Sequence, residues 1–70
     1  SVMKPGDLIQ NKYTLTTGLI IGRTCWHMNG YGYGEYMEFK DYELLLCREN
    51  KKMVVPCQIL EEHWEKIDEN

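Results

Sequence analysis

The dipeptide Asn29-Gly30 sits between two stretches, "GLIIGRTCWHM" over 18–28 and "EYMEF" over 35–39, that alternate in the manner of strands. Both residues tolerate a positive φ, which the tightest β-hairpins require. The chain is therefore expected to reverse here and to pair its flanks antiparallel. Other turn formers divide the rest of the sequence. Lys4-Pro5-Gly6-Asp7 reads as a turn opening, because Pro fixes φ and Gly permits a positive one. Leu8–Gln10 reads as a first short strand, and 11–17 as a loop or irregular edge. "YELLLCRE", begun at Asp41, is turned by Asn50-Lys51-Lys52, and "MVVPCQIL" returns. Parallel neighbours need a crossover of a dozen or more residues, and no gap here offers one.

Period-two reading of 18–28 puts Leu19, Ile21, Arg23, Cys25 and His27 on one face and Ile20, Gly22, Thr24, Trp26 and Met28 on the other. Neither face is cleanly apolar. Gly22 inside the strand predicts a bulge or strong bend, of the kind that small barrels use to close. In the returning strand Met37 and Phe39 share one face, and Tyr36, Glu38 and Lys40 the other. Tyr42, Leu44 and Leu46 form a further set, as do Met53, Val55, Cys57 and Ile59. Pro56 cannot donate to a ladder, so its strand lies at an edge or is interrupted there. Leu60, Trp64 and Ile67 fall at i, i+4 and i+7, one stripe of a short terminal helical turn. Leu19, Ile21, Leu44, Leu46, Val55, Ile59 and Trp64 are the expected core. The whole reads as an all-β fold, a small antiparallel SH3-like barrel of about five strands with a short C-terminal helical turn.

Seventy residues make one domain, expected over 3–70, with Ser1 and Val2 read as a scar before a natural start at Met3. A chain of this size buries only about 60% of its unfolded surface. Its hydrophobic content of 43% is that of a folded protein rather than a disordered one. The net charge of −3 argues against a partner held mainly by its phosphates. No run approaches the ~20 apolar residues of a membrane span. No charged–apolar–small leader predicts secretion. The odd cysteine count (Cys25, Cys47, Cys57) fits reduced thiols in a cytoplasm rather than a disulfide framework.

"KPGDLIQ", then "GLIIGRT", then "YMEF" and a strand pair, resembles the small SH3-like barrel proteins of tailed bacteriophages and bacteria. The resemblance covers about the first half of the chain. It implies a compact antiparallel barrel of viral or bacterial origin, in the host cytoplasm if viral, and no catalytic residue. The segment "CWHMNGYGYGEY" is richer in aromatics than that pattern requires.

The glycines Gly30, Gly32 and Gly34 have neither the G-x-G-x-x-G spacing nor the helix that a dinucleotide site needs, and the Lys of a P-loop is missing. Cys25, His27, Cys47, Cys57 and His63 supply zinc-ligand types without the usual close pairs. Cys25 and His27 lie about 7 Å apart on one strand face, too far for a nucleophile–base hydrogen bond. No enzyme activity, metal or cofactor is expected. Trp26, His27, Tyr31, Tyr33 and Tyr36 are the candidate partner-binding residues. Alternating glycines hold Tyr31 and Tyr33 in a hairpin tip, and Tyr and Trp are enriched at interface hot spots. The favoured function is recognition of a protein partner. The alternatives are single-stranded nucleic acid stacked on the same aromatics, and self-assembly through the edge strand near Pro56.

Overall fold

The computed structural model describes residues 2–29 and 36–67, with backbone placement alone for 26–29 and 36–39. The elements run β1 (Leu8–Asn11), β2 (Thr17–Asn29), β3 (Tyr36–Leu46), β4 (Lys51–Pro56), α1 (Cys57–His63) and β5 (Trp64–Lys66). All strand pairs are antiparallel, in the order β4-β3-β2-β1-β5. The last strand thus returns beside the first. Among the described residues no ladder joins β4 to β5, so the sheet is open and not a closed barrel. No helix among them is long and apolar enough to cross a membrane.

The first turn is built as its residues dictate. Asp7 N–H donates to Lys4 O at 3.1 Å, with Pro5 and Gly6 between them and Gly6 at φ +96°. Pro at the second position and a positive φ at the third define a type II turn. Asn11 organises the β1–β2 connection. Its Oδ1 accepts from Tyr13 N–H and Thr14 N–H at 2.9 and 3.0 Å, and its carbonyl accepts from Leu15 N–H. Asn50, at φ +51°, closes the β3–β4 turn in the left-handed region, which Asn tolerates.

The bulge expected at Gly22 is present. Ile20 pairs with Leu44 and Gly22 with Glu43, leaving Ile21 as the extra residue. It flips the strand's parity, so that Ile20 before it and Arg23 after it face the same way, opposite Leu44 and Tyr42 respectively.

Three expectations are corrected. The segments 36–39 and 42–46, expected as two strands, form one strand, β3, because no Gly or Pro falls between them and β2 is long enough to pair with both halves; 47–50 form the turn that follows. The strand "MVVPCQIL" stops at Pro56, which is extended at φ −57°, ψ 143°, and α1 starts at Cys57. The terminal stripe dissolves for the same reason. Trp64 is not helical but caps α1 in an extended conformation and begins β5.

The core comprises Met3, Ile9, Ile20, Tyr42, Leu44, Val55, Leu60 and Trp64, with Leu46 and Cys57 packed against it. Leu44, Val55 and Trp64 are buried as expected. Leu19 and Ile21 are not in the core. Over 19–21 both faces are apolar, so alternation alone cannot choose between them; the register does, by pairing Ile20 with Leu44. Ile59 is 46% exposed, since the helical period turns Leu60 inward in its place. Tyr42 satisfies its buried hydroxyl by donating to Met3 O at 2.9 Å, which ties the N-terminal segment to the sheet.

Candidate functional site

The β1–β2 ladder stops at Leu8 opposite Leu19, and the β3–β4 ladder stops at Asp41 opposite Pro56. β2 and β3 continue together beyond both, from Cys25 opposite Lys40 to Asn29 opposite Tyr36. This end of the sheet is a ribbon two strands wide. It gives the molecule its length, 44 Å against 25 and 21 Å in the other directions.

Register sorts the ribbon's residues. Trp26 stands opposite Phe39 and Met28 opposite Met37, at alternate positions and hence on one face. His27 stands opposite Glu38 and Asn29 opposite Tyr36, on the other. The second face continues the row of Arg23, Tyr42 and Val55 at the edge of the core, where the Arg23 guanidinium lies 5.5 Å from the centre of the Tyr42 ring. The first face is the outer one, away from α1 and the core. The expected binding residues are therefore divided: Trp26 holds an outer-face position, and His27 and Tyr36 hold inner-face positions. Tyr31 and Tyr33 lie outside the described residues.

The outer face also carries apolar residues where the sheet is four strands wide. Leu8, Leu19, Leu45 and Lys52 form one row across β1 to β4. Gly22, Glu43 and Val54 form the next row on β2 to β4. Leu8 is 39% exposed and Val54 59%, while Leu19, Leu45 and Glu43 are half-buried. The sequence reading did not single out this set. Its signal was the pair of unbroken runs "LII" and "LLL", since a strand apolar on both faces loses its alternation.

Among the described residues, no three of the His, Cys, Asp and Glu side chains come together as metal ligands. Cys25 and Cys47 are exposed. The Cys57 thiol donates to Glu61 Oε1 at 3.3 Å, and burial together with that carboxylate pushes its pKa above the ordinary value. Such a thiol stays protonated at neutral pH and is a weak nucleophile. His63 faces Tyr13 with ring centres 5.4 Å apart, and its buried Nδ1 has no hydrogen-bond partner among the described residues.

Compared with known proteins, the chain matches no family model, no curated protein and no solved structure.

Proposed function

We propose that the chain is a non-enzymatic binding module of the small SH3-like barrel class. On this reading it recognises a protein partner through the β2–β3 hairpin, in the cytoplasm. The accessory role in a phage or bacterium is the one that its opening pattern resembles. The fold assignment is supported by the strand order β4-β3-β2-β1-β5, with one helical segment between β4 and the strand that returns beside β1. The two-stranded ribbon carries the functional reading. An isolated pair of strands is marginally stable and gains stability from a covering surface. The ribbon places Trp26, Phe39, Met28 and Met37 at outer-face positions, away from the core. Large aromatic and Met residues at such positions suit a protein interface. Nucleic-acid stacking is less well supported, because the net charge is −3 and register puts Glu38 among the ribbon's few charges. Pairing of copies through β4 is opposed by Lys51 and Lys52 at its start and Pro56 at its end, residues that blunt sheet edges.

The test compares wild type with Tyr31→Ser/Tyr33→Ser and Trp26→Ser/Phe39→Ser, by cross-linking in native lysate and by titration with a fluorescent oligonucleotide. The expected result is a discrete protein adduct lost in one or both double variants, with melting temperatures within a few degrees of wild type. Salt-sensitive oligonucleotide binding without a protein adduct would instead establish the nucleic-acid alternative.

A further inference from the structure

We propose that the outer face of the four-stranded end is a second docking surface, one that takes an amphipathic helix of another protein with a lysine or arginine set in its apolar stripe. This goes beyond the ribbon reading, because it uses different residues. Leu8, Leu19 and Leu45 lie side by side across three strands. Two strand spacings of about 4.8 Å make that row about 10 Å wide, close to the diameter of one α-helix with its side chains. On the next row, Val54 continues the apolar surface on β4. Glu43 stands between Val54 and Gly22 in that row. An ideal Cβ built on Gly22 would lie 3.0 Å from Glu43 Oε2, so the Glu43 carboxylate lies over the glycine. Glu43 is half-buried and forms no hydrogen bond or ion pair with any other described residue. Asp41 follows one row further on the same face.

The surface is thus an apolar strip with the Glu43 carboxylate set into it on β3 and the Lys52 ammonium at its β4 edge. A carboxylate flanked by leucines and valine favours a cationic group brought to it with apolar neighbours, and disfavours a second acid there. Among the described residues the one helix, α1, does not cover this surface, since α1 packs through Leu60 into the core on the opposite face.

The probes are three 14-residue helix-forming peptides with a leucine stripe and Lys, Gln or Glu at its centre, titrated into ¹⁵N-labelled protein. The Lys peptide should shift the amides of Leu8, Leu19, Leu45 and Val54 and bind about tenfold more tightly than the Glu peptide, a difference of about 1.4 kcal/mol. Glu43→Gln should reduce that preference to about twofold or less. Val54→Ser, a change at an exposed edge position, should weaken all three peptides alike and serves if Glu43→Gln does not fold. The protein in which an Asn-Gly turn replaces residues 26–39 should retain the Lys preference, which separates this surface from the ribbon. The proposal is overturned by absent binding of the Lys peptide, by shifts confined to other residues, or by a Lys-to-Glu ratio unchanged in Glu43→Gln. A dimer in sedimentation that buries this face would also overturn it, by making a second copy the occupant.

Discussion

Asp7 shows how one side chain can hold a chain end in place. Its carboxylate accepts Lys4 N–H at 2.9 Å and lies 3.2 Å from Lys66 Nζ, while its backbone carbonyl accepts Ile20 N–H. The opening turn, β2 and β5 thus meet at this residue. The Lys4 amide, with the Lys66 and Lys4 ammonium groups, holds the Asp7 carboxyl below its ordinary pKa of 3.8, against the opposing effect of burial. A carboxyl with a depressed folded-state pKa contributes stability above its unfolded value, and that contribution is lost as pH falls through the folded one. The urea midpoint of the wild type should therefore drop as pH is lowered from about 5 to about 2, and Asp7→Asn should be less stable at neutral pH with a shallower acid decline. Parallel declines in the two proteins would show that other carboxylates carry the acid sensitivity. Leu15 makes the opposite kind of contribution. It sits at φ +62° and is exposed, a conformation that costs a non-glycine residue roughly 1–2 kcal/mol. The Asn11 carbonyl and side chain hold the turn around it.

At the scale of elements, the β2–β3 hairpin divides into two parts with separate jobs. Up to Gly22 and from Asp41 onward its strands belong to a wider sheet, and every core residue lies outside 22–41 among the described residues. Beyond Cys25 and Lys40 it is a ribbon that adds length without lengthening the core. Replacing residues 26–39 by Asn-Gly should therefore leave the fold intact, because Cys25 and Lys40 already face each other across the ladder and a two-residue turn can join them. The expected outcome is an amide spectrum preserved for β1, β4, α1 and β5, with a melting temperature within about 5 °C of wild type, the equivalent of roughly 1 kcal/mol for a domain of this size. Loss of cooperative melting would mean that the ribbon is part of the folding unit, and the division drawn here would be wrong. The bulge at Ile21 separates the two parts. By flipping the parity of β2, it gives the outer face to Trp26 and Met28 and the inner face to Arg23 and Cys25.

For the molecule as a whole, the features legible in the sequence were those with local causes. The Pro5-Gly6 turn, the Gly22 bulge and the edge position of the Pro56 strand each follow from the backbone limits of one or two residues. The choice of buried face had no such local cause. At 19–21 and 44–46 the chain is apolar on both sides, and only the long-range pairing of Ile20 with Leu44 determines which side meets α1. The outer face escaped notice for the same reason, since Leu19 and Leu45 were indistinguishable from core residues by pattern. Adjacent leucines in β3 therefore provide the sharpest test of the architecture. Leu44 is fully buried between Ile20 and Met53, whereas Leu45 lies half-buried on the outer face between Leu19 and Lys52. Leu44→Ala should cost about 2–5 kcal/mol, from lost transfer energy and the cavity left behind. A 70-residue domain has only about 4–10 kcal/mol in total at the usual 0.05–0.15 kcal/mol per residue. The variant should thus melt about 8 °C lower or more, at roughly 4–8 °C per kcal/mol, or fail to fold. Leu45→Ala removes the same atoms from a site that keeps part of its contact with water, so it should cost less than half as much. Equal losses in the two variants, read from urea midpoints with unchanged slopes, would mean that both faces of the sheet are interior and that the outer face is no docking surface.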